Sequence, residues 1–285
     1  YRPLVLGKWA DEWCVKHMKY LITLIALLAL PAWAQAPCGP DAPCTIDMGS
    51  YHMIVPEDVG ENAPVLVFFH GHNATGKLIF RSGGLKADFT EQGYVVIAPN
   101  GTPIQGRKTL RWAGRQGGER NDVAFTLNVI ADAATRVSID PNRIYVAGFS
   151  AGGSMAWLMA CDAAEQFAGF ASVAGALRQP NDTTDCPNAP VRFLHIHGFA
   201  DNQVPYEGRA LGNWHQGSVW DSLRLARAAN ACRTHPDSID IGDQYRCRLW
   251  DDSCGDGAIK FCAHDGGHGL PRGWTALARD WFEGR

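Results

Sequence analysis

The sequence carries little net charge, −3 at pH 7 over 285 residues, and no long run of either sign. Proteins that track nucleic acid display a basic stripe, so composition argues against that partner. An apolar run of the ~20 residues that a membrane-spanning helix needs is also missing. No two cysteines have C-x-x-C spacing, which removes the commonest zinc-site pattern. Internal repeats and low-complexity linkers are absent, and no trailing second module is apparent. What is present suits one sizeable core: 46% of the residues are hydrophobic, and the length fits one α/β domain better than two.

Residues 1–17 are expected to be an upstream leader with no role in the fold. Met18-Lys19-Tyr20 then supplies a basic start, Leu21 to Leu30 a compact apolar segment, and Pro31-Ala32-Trp33-Ala34 a small-x-small cleavage site. That three-part order predicts a secretory signal peptide over 18–34, with one domain over 35–285. The expected location is extracellular or periplasmic, with no stable membrane anchor. Cysteine usage fits export. Of nine cysteines, Cys14 falls in the leader, and the other eight form an even set that reads as four disulfides. Many pairings remain open. Tyr245–Trp250 and Ile259–Cys262 read as a hairpin, and folding it symmetrically sets Cys247 opposite Cys262. Cys254, in the hairpin loop, is then free to reach Cys232. Cys38 with Cys44 would close a small loop, leaving Cys161 with Cys186.

Continuous apolar runs suit strands buried on both faces of a parallel sheet. Such runs occur at Val65–Phe69, Tyr94–Ala98, Ile144–Ala147, Phe170–Val173 and Val191–Ile196, after short leading strands at Thr45-Ile46 and Tyr51–Val55. Between and after them, helices are expected at Asn121–Arg136, Gly152–Cys161, Val219–Ala229 and Ala276–Phe282. Strands alternating with helices predict a mostly parallel central sheet with helices on both faces.

The chemistry centres on Gly148-Phe149-Ser150-Ala151-Gly152, placed after a strand and at the start of a helix. A serine there sits on a strained turn, its hydroxyl clear of the sheet and its charge favoured by the helix N-terminus. Serine is a weak nucleophile and needs a base, which a third group must orient. Asp201 lies just past the carboxyl end of the Val191–His197 strand, on the same sheet edge as the serine turn. Asp182 and Asp185 precede that strand and are weaker rivals. His268, in Asp265-Gly266-Gly267-His268-Gly269, follows the last strand with glycine on both sides and can reach back to Ser150. His264 continues the strand, and His195 and His197 lie in an apolar one, where a satisfied core histidine is the ordinary reading. For an oxyanion, the expected donors are the Ala151 N–H and a backbone N–H of His72 or Asn73, in the loop His70-Gly71-His72-Asn73.

Taken in order, several segments resemble one known group: His70-Gly71, Gly148 to Gly153, Cys161 eleven residues after the serine, Phe167-Ala168, Val173-Ala174-Gly175, His197-Gly198 with Asp201, and Gly266-Gly267-His268. The chain is similar to secreted esterases of the polyhydroxybutyrate depolymerase and feruloyl or acetylxylan esterase type (carbohydrate esterase family 1, LpqC-like), from about Tyr51 to Phe282. The resemblance implies the α/β-hydrolase fold, a triad of Ser150, Asp201 and His268, and a cysteine pair at Cys232 and Cys254. Two positions depart from it. Members often continue the histidine motif as His-Thr-Trp-Pro, whereas this chain has His268-Gly269-Leu270-Pro271; they often have Trp-Asn where it has Trp112-Ala113.

The expected reaction is acyl transfer from an ester to Ser150 and then to water, with no metal or organic cofactor, by a monomer acting on feruloyl, acetyl or 3-hydroxybutyrate esters. Activity is expected to fall in acid as the base takes up a proton. Trp112, Trp214 and Trp220 could line a substrate pocket or belong to the core. Two alternatives come from other classes: a serine peptidase of the same fold, and a non-catalytic binding protein on a hydrolase scaffold.

Overall fold

In the computed structural model, residues 38–104, 109–112, 120–178, 191–212 and 214–285 are described. The expected leader and signal peptide lie outside them. In chain order the strands are β1 (Cys44–Ile46), β2 (Gly49–Ile54), β3 (Ala63–Phe69), β4 (Val95–Pro99), β5 (Thr102–Pro103), β6 (Leu110–Arg111), β7 (Ile139–Phe149), β8 (Gly169–Val173), β9 (Arg192–Gly198), β10 (Arg209–Leu211), β11 (Trp214–Gln216), β12 (Ser238–Ile241), β13 (Arg246–Trp250) and β14 (Ala258–His264). The helices are α1 (Gly76–Ile79), α2 (Gly83–Asp88), α3 (Asp122–Ala134), α4 (Ala151–Asp162), α5 (Val219–Ala229) and α6 (Trp274–Phe282).

One 10-stranded sheet runs β1-β2-β4-β3-β7-β8-β9-β14-β13-β12. Its centre, from β4 to β14, is parallel, and β1, β2, β13 and β12 join as antiparallel edges. Successive side chains of a strand point to opposite faces, and β3 shows the consequence. Val65, Val67 and Phe69 pack with Phe125 and Val129 of α3, Met155 of α4 and Leu223 of α5. Leu66 and Phe68 pack instead with Leu85 of α2 and Trp274 and Ala278 of α6. Helices therefore cover both faces, which is why the central strands read as unbroken apolar runs.

Helix starts follow local chemistry. Asn121 accepts from Ala124 N and Ser218 from Asp221 N, so each satisfies an N–H that the helix itself cannot. The short helices α1 and α2, the ribbons β5–β6 and β10–β11, and edge strand β12 were not expected from the sequence, because each is too short to display a period.

Disulfides join Cys38 to Cys44, Cys232 to Cys254 and Cys247 to Cys262. Cys247 faces Cys262 directly in the β13–β14 register, as a symmetric hairpin requires. The expected Cys161–Cys186 pair involves residue 186, which lies outside the described residues. Covalent cross-links of this kind belong to an oxidising compartment. Among the described residues no helix is long and apolar enough to cross a membrane.

Candidate active site

The parallel strands β3, β7, β9 and β14 all end at one edge of the sheet, and each delivers a residue of the site just beyond its carboxyl end: His70, Ser150, Asp201 and His268. Ser150 occupies the turn between β7 and α4 with φ 57° and ψ −117°, a conformation L-residues rarely adopt. The surroundings enforce it. A Cβ on Gly148 would lie 2.1 Å from the Gly152 carbonyl oxygen, and one on Gly152 would lie 2.0 Å from that of Phe69. Only hydrogen fits at either position. Ser150 N–H donates to Val173 O at 2.9 Å, which ties the turn to the neighbouring strand.

His268 Nε2 lies 2.8 Å from Ser150 Oγ, and His268 Nδ1 lies 2.8 Å from Asp201 Oδ2. The hydroxyl donates to the ring, and the ring donates to the carboxylate. Asp201 is 5% exposed, and its other oxygen, Oδ1, accepts from Gln203 N–H at 2.9 Å and Val204 N–H at 2.8 Å. Burial pushes this carboxyl upward, but the hydrogen bonds from His268 and Val204, with the electrostatic influence of the His268 and His197 rings, outweigh it and hold it below the ordinary carboxylate value. An ionised Asp201 is thus available to fix the His268 tautomer.

The loop after β3 is built around His70, which is fully buried. Gly101 N–H donates to its Nε2 at 3.0 Å, so Nδ1 carries the proton and donates to Gly71 O at 2.8 Å. Burial lowers this histidine to about 4, so it stays neutral. Gly71 brings the loop against the serine: a Cβ there would stand 3.6 Å from Ser150 Cβ. Asn73 N–H is taken by Leu110 O at 3.3 Å, whereas among the described residues the N–H groups of His72 and Ala151 have no backbone acceptor.

Trp112 is 3% exposed, its indole N–H donates to His70 O at 2.8 Å, and its ring packs on Phe69 and His70. It braces the loop, so of the two readings open for Trp112 the structure favours the core one. Trp214 opens β11, but its side chain lies outside the described ones. Trp220 is 45% exposed and stacks on Tyr206. Of the rival acids, Asp182 and Asp185 lie outside the described residues. His264 spends Nδ1 on Gly266 N–H at 3.1 Å. The structuring roles of His70, His195 and His197 escaped sequence reasoning; the two-residue spacing of the last pair was the available signal. A cleft of about 730 Å³ opens beside the β3 loop, with Thr75, Asn100, Thr102 and Leu110 among its walls.

Residues 51–221 match the phospholipase/carboxylesterase family. The chain belongs to that family. Membership makes it an ester hydrolase of the α/β-hydrolase fold, as the resemblance implied. Among relatives of this carboxylesterase, "Probable feruloyl esterase C" of Aspergillus niger is 27% identical over 92% of this chain and 95% of its own. Feruloyl esterase B of Piromyces equi is 28% identical over 72% of this chain and 39% of its own, and a poly(3-hydroxyalkanoate) depolymerase of Paucimonas lemoignei is 31% identical over 42% and 30%. Among solved structures, an acetyl xylan esterase from Aspergillus awamori superposes with a TM-score of 0.66 at 16% identity, over 82% of this carboxylesterase and 93% of that chain, a likeness of fold.

Proposed function

We propose that this carboxylesterase is a secreted serine esterase acting through an acyl-enzyme on feruloyl- or acetyl-type esters of plant polysaccharide or on 3-hydroxybutyrate oligomers. The observation that carries the mechanism is the unbroken hydrogen-bonded line from Ser150 through His268 to Asp201 on a strained turn. His268 takes the Ser150 proton as the oxygen attacks the ester carbonyl, and Asp201 stabilises the imidazolium that forms. The carbonyl oxygen becomes an oxyanion held by the Ala151 and His72 N–H groups, which have no backbone acceptor among the described residues. His268 then protonates the departing alcohol. Water repeats the sequence and releases the acid. Every step uses groups of this chain, and none calls for a metal or organic cofactor. Export is supported by the disulfides and by the signal-like residues 18–34.

The test is release of ferulate from methyl ferulate by the purified protein, with Ser150→Ala alongside. Release by the wild type alone supports the aromatic-acid branch. No ferulate, with Ser150-dependent cleavage of acetyl or 3-hydroxybutyrate esters, moves the substrate to those classes and keeps the mechanism.

A further inference from the structure

The line from serine to aspartate leaves two buried histidines unused. His195 and His197 stand two residues apart on β9, so their rings share one face of the sheet, and both are 0% exposed. Their nitrogens form a chain. Trp157 Nε1 lies 3.3 Å from His195 Nδ1, His195 Nε2 lies 3.1 Å from His197 Nδ1, and His197 Nε2 lies 2.8 Å from Val204 O.

One group sets the direction of all three bonds, because an indole N–H can only donate. His195 Nδ1 must accept, so its proton sits on Nε2 and goes to His197 Nδ1. His197 then carries its own proton on Nε2 and donates to the Val204 carbonyl. The opposite tautomer would turn a nitrogen lone pair toward a carbonyl oxygen and a carboxylate. Burial, reinforced by the adjacent His197, holds His195 well below the ordinary histidine range. Burial also lowers His197; the Val204 hydrogen bond and Asp201 oppose the shift, and His268 and His264 add to it. Both rings are therefore neutral donors, and the chain carries orientation, not charge.

The chain ends on the groups that hold the triad acid. Val204 N–H donates to Asp201 Oδ1 at 2.8 Å, so the residue that His197 pins is one of the two that clamp the carboxylate. The same Nε2 atom lies 3.5 Å from Asp201 Oδ2, the oxygen that accepts from His268. That separation is too long for a hydrogen bond but close enough for the N–H dipole to act on the carboxylate. We propose that His197 is a positioning residue for Asp201, with its tautomer fixed by Trp157 and His195. The inference rests on the serine mechanism above.

Glutamine places an amide nitrogen near the His197 Nε2 position, whereas asparagine reaches only the Nδ1 position. His197→Gln therefore keeps the donor and His197→Asn loses it. In the full chain, His197→Asn should lower kcat by about tenfold to hundredfold with KM within about twofold, and His197→Gln should recover most of that loss. ¹⁵N spectra of histidine-labelled wild type should show the Nε2–H tautomer at both rings, and Trp157→Phe should disturb the His195 signals and lower kcat less than His197→Asn does. Wild-type kcat in folded His197→Asn, beside an inactive Ser150→Ala, would overturn the positioning role and leave the serine mechanism standing. Equal losses in the Gln and Asn variants would reduce His197 to packing. An Nδ1–H tautomer at His197 in the unmutated protein would overturn the inference even if the variants failed to fold. Full hydrolysis by Ser150→Ala would remove the serine mechanism and this inference with it.

Discussion

The two walls of the site are built by different means. On the Ser150 side, backbone atoms do the positioning: Gly148, Gly152 and Gly153 let α4 close on β3 and β8, and Ser150 is forced to φ 57°. On the acid side, side-chain hydrogen bonds do it: Asp201 is held by two backbone N–H groups, by His268 and by the turn that His197 pins. A steric wall admits only one residue type at its critical positions. A hydrogen-bonded wall can be assembled from many polar residues, whose roles depend on where the fold brings them.

The largest expected effect breaks the Ser150 wall chemically. Ser150→Ala should reduce kcat on a soluble ester such as p-nitrophenyl acetate by on the order of 10⁶-fold. On the opposite wall, Asp201→Asn should cost about 10⁴-fold in kcat, because the amide favours the wrong His268 tautomer. A smaller loss would mean that His268 keeps its catalytic tautomer without the carboxylate.

Gly152→Ala tests whether the first wall is truly steric. Its Cβ would fall 2.0 Å from the Phe69 carbonyl oxygen, backbone that cannot swing aside. A destabilisation above about 4 kcal/mol is expected by urea unfolding, or no folded protein at all. A near-native transition would show that α4 can shift.

The buried histidines make a pH prediction. Between pH 6.5 and about 4 the unfolded chain binds a proton at His70 that the folded protein refuses. Stability should therefore fall as pH drops through that window and level off below it, with His70 contributing about 3 kcal/mol at 1.36 kcal/mol per unit. Denaturant unfolding at pH 7 and pH 5 should show a shallower loss in His70→Gln, and burial-lowered His52, His195, His197 and His264 supply the remainder. Asp201 acts lower on the scale: its contribution is complete above its ordinary 3.8 and is lost as pH falls through its depressed folded value. The smallest effect separates the walls by sign. Ser150→Gly should raise stability by about 1 kcal/mol, since glycine accepts the left-handed turn without strain. Asp201→Ala should lower stability, because it orphans buried donors.

The arrangement of the sheet was legible because burial on both faces forces apolar runs, and β3, β4, β7, β8 and β9 each correspond to one. The Cys247–Cys262 bridge was legible because hairpin symmetry leaves one facing partner. The serine turn was legible because Gly148 and Gly152 answer a steric demand that no other residue meets. Other features had no such signature. For Trp112 the sequence left pocket wall and core open, and it gave no sign that the indole N–H donates to His70 O. His195 and His197 looked like inert core, yet they end on the Asp201 turn.

Residue order and side-chain type alone determined the parallel sheet and the strained turn at Ser150, since each is dictated by local geometry or by burial on two faces. Tertiary structure alone decided that Asn73 N–H is spent on Leu110 O while, among the described residues, His72 N–H has no backbone acceptor, and which tautomers His70, His195 and His197 carry. A hydrogen bond depends on partners remote in sequence, such as Trp157 for His195, and one donor with no alternative role propagates its direction through the whole chain of rings.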